Sequence, residues 1–176
     1  AYTFELGDDF FEECSDFEQA ILPENLPALI YSAKAARRPY LEPAGPEPVT
    51  VQVQPATVEP GDLFTITATL DDGRFAGPEP EQAVASAALS IDVPPELATE
   101  LLPLTAIDGT FDEVIEDVAA TFSVDDLGLA PGRHLLFVTG VDAGGRRGVP
   151  TAAFLEIQDP PLFSDGFETG DTTAWD

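Results

Sequence analysis

The sequence is poor in bases, sulfur and histidine. Seven lysines and arginines stand against 33 aspartates and glutamates, a formal net charge of −26 over 176 residues. A surface this short of positive charge repels phosphate backbones and anionic lipid, so neither nucleic acid nor an anionic membrane surface is an expected partner. No apolar run approaches the roughly 18 residues of a spanning helix, and no membrane span is expected. Cys14 is the single cysteine, which excludes an internal disulfide and leaves a free thiol or a bridge to a cysteine elsewhere. Methionine is absent, also at position 1, which leads to the expectation of a processed product or a piece of a longer chain whose signal peptide was removed or lies upstream. His134 is the single histidine, so a histidine-based metal site has little to draw on, and it is read as an ordinary strand residue.

What the chain does have is enough apolar material for a core, 44% of its residues, broken up by 17 prolines and 14 glycines. Frequent breakers favour short strands and turns over long helices. Four zones follow from composition. Residues 1–41 hold an aromatic opening and one helical pattern; 42–48 carry three prolines and read as a stiff extended linker; 49–158 alternate strand and turn; 159–176 form a tail announced by Asp159-Pro160-Pro161. The helix is predicted over 23–38, with Leu26, Leu29, Ile30 and Ala33 on one face and Pro23 and Pro27 tolerated as first-turn residues. Lys34, Arg37 and Arg38 fall at its end, where they suit the negative pole of the helix dipole. Strands are predicted over 49–54, 63–70, 84–93, 114–124, 133–141 and 152–157, separated by turn signals such as Pro60-Gly61, Asp108-Gly109 and Gly144-Gly145. About seven short strands in roughly 110 residues is the pattern of an immunoglobulin-like antiparallel sandwich. A mainly β fold is therefore expected, preceded by one strand and one helix too small to fold alone.

Among the acids, Glu5 is the most informative. Period-2 alternation in Tyr2-Thr3-Phe4-Glu5-Leu6 puts Tyr2, Phe4 and Leu6 on one face and Thr3 with Glu5 on the other. A carboxylate on a sheet face is either solvated, or paired and functional, because a bare buried charge is costly. The clusters Asp8-Asp9, Glu12-Glu13, Asp71-Asp72 and Asp125-Asp126 lack calcium-loop spacing and read as solvated surface. The stretch from Asp142 to Gly148 reads as a hairpin turn.

The Tyr-Thr-Phe-Glu-Leu strand, the acidic loop after it and the segment Leu26-Pro27-Ala28-Leu29-Ile30-Tyr31-Ser32-Ala33-Lys34-Ala35-Ala36 together resemble the end of the metallocarboxypeptidase A/B family. The resemblance covers residues 1–40, under a quarter of the chain. It implies an α/β catalytic domain that removes C-terminal residues from peptides and proteins with one zinc ion held by two histidines and a glutamate. In that reading Glu5 is the general base and acid acting beside the zinc-bound water, and Thr3 lines the pocket for the departing side chain. Cys14 would pair with an upstream cysteine. The family's His-x-x-Glu pair is absent from this chain, so the zinc ligands, and with them activity, must come from residues upstream; the fragment itself is expected to bind no metal, to be inactive alone and to be monomeric. The tail, with Phe163, Phe167 and Trp175 as apolar anchors, resembles a recurrent C-terminal segment of secreted bacterial proteins. The combined expectation is the C-terminal part of a secreted bacterial zinc carboxypeptidase with an accessory sandwich. The alternative is a non-enzymatic secreted or cell-surface immunoglobulin-like binding module.

Overall fold

The structure is a computed structural model and describes residues 6–7, 11–36, 44–74 and 80–159. Its first part is helical. A short α-helical turn, α1 (Cys14–Asp16), runs through a π-helical turn over Phe17–Ile21 into α2 (Leu22–Lys34). The helix thus begins well before Pro23, where the proline pattern placed its start. Pro23 and Pro27 lie inside it and each removes a backbone donor. The wider π turn sits immediately ahead of the first of them, where the regular ladder would be interrupted in any case. The Asn25 side chain also donates to the Ile21 carbonyl at 2.8 Å.

Eight strands follow: β1 (Glu47–Gln54), β2 (Thr57–Val58), β3 (Leu63–Asp71), β4 (Val84–Ile91), β5 (Leu102–Ala106), β6 (Ile115–Ser123), β7 (Gly132–Asp142) and β8 (Thr151–Ile157). They form one sheet in the order β1-β3-β6-β5-β4-β7-β8-β2. All pairs are antiparallel except the short β2–β8 pair. Strand β5 pairs with β4 through residues 102–104 and with β6 through 105–106. The sheet folds over at this strand, and β1 packs against β7 and β8. The protein is therefore mainly β, with two facing layers in the manner of a sandwich.

Alternation supplies the core. In β3, Phe64, Ile66, Ala68 and Leu70 point inward while Thr65, Thr67 and Thr69 point out. They meet Val118 of β6 and, from the opposite layer, Leu89, Leu136, Val138 and Leu155, all essentially without solvent contact. Each such side chain contributes about 1.5–3 kcal/mol by leaving water. Phe64 and Phe122 add a tilted ring contact with centroids 5.8 Å apart. All six predicted runs coincide with strands to within a residue or two. The exceptions to the sequence reading are β2 and β5: β2 is only two residues long, and β5 is masked by Pro103.

The proline-rich segment expected as a linker is in part a component of the sandwich. β1 begins at Glu47, and Gly45, Pro46, Glu47 and Pro48 are buried. The backbone at 45–46 lies in a slot made by two glycines: a Cβ on Gly140 would stand 2.9 Å from Pro46 Cγ, and a Cβ on Gly148 would overlap the Pro46 carbonyl. Backbone meets backbone at Gly148, so a flexible side chain cannot move aside. Gly148→Ala is expected to destabilise the fold by about 1–3 kcal/mol or more, read as a lower urea midpoint with unchanged m-value. The exposed Gly145, which meets no neighbour but has φ of +82°, should lose only about 1 kcal/mol on the same substitution.

Candidate functional site

Thr3 and Glu5, the residues singled out by the carboxypeptidase resemblance, lie outside the described residues, as do Asp8-Asp9 and the tail from residue 160. The helix that follows them is described. No residue of α2 is buried, and Leu22, Leu26, Leu29 and Ile30 are 39–49% exposed. These four occupy one stripe at i, i+4, i+7 and i+8. The far end of the helix touches the sandwich. The Tyr31 hydroxyl donates to Glu47, Lys34 Nζ donates to Thr151 Oγ1 at 3.0 Å, and Ala35 is buried. Cys14 is an exposed free thiol.

The strand ends bring acids together that the sequence keeps apart. Glu47 at the start of β1, Asp72 just after β3, Glu116 at the start of β6 and Asp142 at the end of β7 all lie at one end of the sandwich, and all four are at most 8% exposed. Burying carboxylates is costly unless each is compensated. Glu47 accepts from Tyr31 and pairs with Arg74, whose Nε is 3.5 Å away. Asp142 Oδ1 accepts from the Arg146 backbone N–H at 2.8 Å, closing the turn predicted from Asp142 to Gly148. Asp72 is half compensated. Its Oδ2 accepts from the Gln82 N–H at 2.7 Å, while its Oδ1 is buried without a partner. Glu116 accepts a long bond, 3.4 Å, from the Glu113 N–H. Burial raises the Asp72 carboxyl above its ordinary range; the Gln82 amide opposes this, and the negative charges of Asp142, Glu81 and Asp71 reinforce it. Burial likewise raises Glu116, against the Glu113 and Asp112 amides and with the charges of Asp108 and Glu113. Asp71-Asp72 is therefore not the solvated pair its sequence implied. Asp72 turns inward because β3 ends there and the short 3₁₀ turn Asp72–Arg74 redirects the chain.

His134 stands at the opposite end. Nδ1 lies 2.7 Å from Asp92 Oδ2 and Nε2 lies 2.8 Å from the Ala130 carbonyl. Asp92, in the left-handed region at φ 59°, also accepts from the Leu135 N–H through Oδ1. Both ring nitrogens face acceptors, an arrangement satisfied only by the doubly protonated ring. Burial lowers the His134 pKa, but the Ala130 carbonyl and the Asp92 carboxylate outweigh it, and the net direction is upward.

The zinc set implied by the resemblance does not fit these residues. The chain has one histidine, and it is engaged by Asp92 and Ala130. Among the described residues no three histidine, cysteine, aspartate or glutamate side chains form a metal-binding group. Nor is any described helix long and apolar enough to cross a membrane.

No family model matches the chain, and no curated protein matches it. Among the solved structures that are similar in part are the following three. The Pseudomonas fluorescens alkylpurine DNA glycosylase AlkC, bound to DNA containing an abasic site analog, is 21% identical with a TM-score of 0.44 over 82% of this chain; this chain spans 42% of that one. The fibronectin(III)-like modules of Clostridium thermocellum CbhA are 12% identical, TM-score 0.36, over 62% of this chain and 97% of theirs. A Niemann-Pick type C2 protein from Japanese carpenter ant is 8% identical, TM-score 0.40, over 65% of this chain and 93% of its own. At these scores none of them assigns an activity to the present chain.

A histidine whose folded pKa is raised stabilises fully below its unfolded value and loses that contribution as pH rises through the folded value. Wild-type protein is therefore expected to lose thermal stability as pH rises from about 6 to 8, near and above the ordinary histidine range. His134→Gln should be less stable at the acid end and should show a shallower decline than wild type, measured by calorimetric Tm across the interval.

Proposed function

We propose that this chain is the C-terminal part of a secreted bacterial zinc carboxypeptidase of the metallocarboxypeptidase A/B kind. Residues 1–41 would close its catalytic domain, 42–48 connect, 49–158 form an accessory immunoglobulin-like sandwich and 159–176 trail as a tail. The observation that supports this reading is the apolar stripe of α2. Leu22, Leu26, Leu29 and Ile30 share a face and none is buried, each keeping 39–49% of its surface exposed. A helix of this pattern gains most of its stability by burying that stripe against another layer. In the family resembled, that layer is the catalytic sheet, whose general-base strand would carry Glu5 and Thr3. Glu5 would transfer the proton and Thr3 would line the side-chain pocket. The zinc ligands would come from upstream residues, and peptide or protein C-termini would be the substrate. The net charge of −26 argues against a nucleic-acid partner.

A second reading, a non-enzymatic binding module at the cell surface or outside the cell, draws on the contacts of Tyr31 and Lys34 with the sandwich, which attach the helix end to it. The two separate on the longer protein. Under the first, it releases C-terminal residues from peptides, chelator abolishes release, and Glu5→Gln lowers kcat by about 10²–10⁴-fold, in the range of a lost acid–base group. Unchanged turnover in Glu5→Gln would remove Glu5 from that role. A longer protein with no exopeptidase activity would leave the binding module.

A further inference from the structure

The acidic end of the sandwich has one property that neither reading uses. Four chain segments, at residues 72, 83–84, 113–114 and 143, meet there through single backbone bonds. The Asp72 N–H donates to the Val114 carbonyl at 3.1 Å, Val84 N–H to the Glu113 carbonyl at 2.8 Å and Ala143 N–H to the Ala83 carbonyl at 2.9 Å. Two carboxylates sit at these junctions, each receiving a backbone amide from one of the segments: Asp72 from Gln82, and Glu116 from Glu113. We propose that this end is a proton-operated latch: with protons on Asp72 and Glu116 the segments at 81–84 and 112–116 are held together, and release of those protons loosens them.

Asp72 is 7% exposed and its Oδ1 has no hydrogen-bond partner among the described residues. An ionised carboxylate in that position keeps one amide for two oxygens, whereas the neutral acid removes the buried charge. The groups facing Asp72 make ionisation harder. Asp71 comes from the end of β3, Glu81 from the segment before β4, and Asp142 from the end of β7. Glu116 faces Asp108 and Glu113, and the amides of Asp112 and Glu113 are its compensation. Of the nearby arginines, Arg74 pairs with Glu47 with its side chain 54% exposed, and the Arg146 backbone N–H donates to Asp142. Both carboxyls shift upward, mainly through burial. For an acid raised on folding, the unfolded chain gives up its proton first. Stability is then greatest below the unfolded value and falls as pH rises through the folded value.

The test is site-resolved hydrogen exchange with thermal unfolding on the 176-residue chain, from about pH 4 to 8, a window that begins near the ordinary carboxyl value. After correction for intrinsic exchange, the amides of Asp72, Gln82 and Val84 should lose protection as pH rises, ahead of core amides such as Leu136. Asp72→Asn, which resembles the protonated acid in shape and charge, should hold those amides protected at about pH 7, raise Tm there and flatten the dependence; adding Glu116→Gln should flatten it further. The exposed control Glu59→Gln should leave it unchanged. Retention of the wild-type dependence in Asp72→Asn overturns the proposal. So does full protection at fixed pH on adding millimolar calcium chloride, beyond that from sodium chloride of matched ionic strength and lost in Asp72→Asn, which would make the end a cation site. If Asp72→Asn does not fold, Asp71→Asn with Glu81→Gln replaces it: removing those charges eases ionisation of Asp72 and should move the loss of protection to lower pH, and an unmoved midpoint overturns the proposal equally.

Discussion

Strand β5 hydrogen-bonds to β4 with its first half and to β6 with its second, and the two-layer arrangement depends on that division. With β5 serving both neighbours, a single sheet can turn a corner without leaving ladder groups unpaired. The inward residues of β3 and β6 then face those of β4, β7 and β8 across one contiguous core. Pro103 lies opposite Ala88 in the half that pairs with β4, and it has no N–H to place in a ladder; the change of partner follows between Leu104 and Thr105.

The corner also decides where polar groups end up. Strands β1, β3, β4, β6 and β7 begin or finish at the same end of the sandwich, and residues that are remote in sequence arrive there together. A chain with 33 acids and 7 bases has few cations to bring to such a place. Backbone amides and the Tyr31 hydroxyl do most of the compensating, with one arginine shared at the rim. The other end is built differently, around an imidazole between a carboxylate and a carbonyl. The two ends thus respond to protons through different chemistry, a carboxyl pair at one and a single histidine at the other.

Much of the fold is legible in the residues. Phe64-Thr65-Ile66-Thr67-Ala68-Thr69-Leu70 alternates so regularly that both its strand and its buried face follow from the sequence. Pairing is less visible, because alternation gives each strand a face and not a neighbour. The start of the helix was obscured by Pro23 and Pro27, read by the rule that places prolines in a first turn, where the chain uses a π turn ahead of them. The acidic end was hidden for a related reason. Asp72 and Glu116 look like surface acids in their local sequence, and only the register of β3 with β6 turns Glu116 to the side of Leu70. One signal was present: Glu116 lies at the same parity as Val118 in a strand whose inward positions are otherwise apolar. The motif at Thr3 and Glu5 rests on resemblance, while the stripe on α2 was readable as amphipathic from its spacing alone.

The slot between Gly140 and Gly148 has a mechanical meaning. Gly45 and Pro46 are seated in it with no side-chain cushion, and Tyr31 and Lys34 fasten the helix end a short distance away. A pull or twist arriving at the helix end therefore reaches β1 through Glu47 and β8 through Thr151, while the residues just before β1 are seated against Gly140 of β7. The load is shared by three strands rather than carried by one.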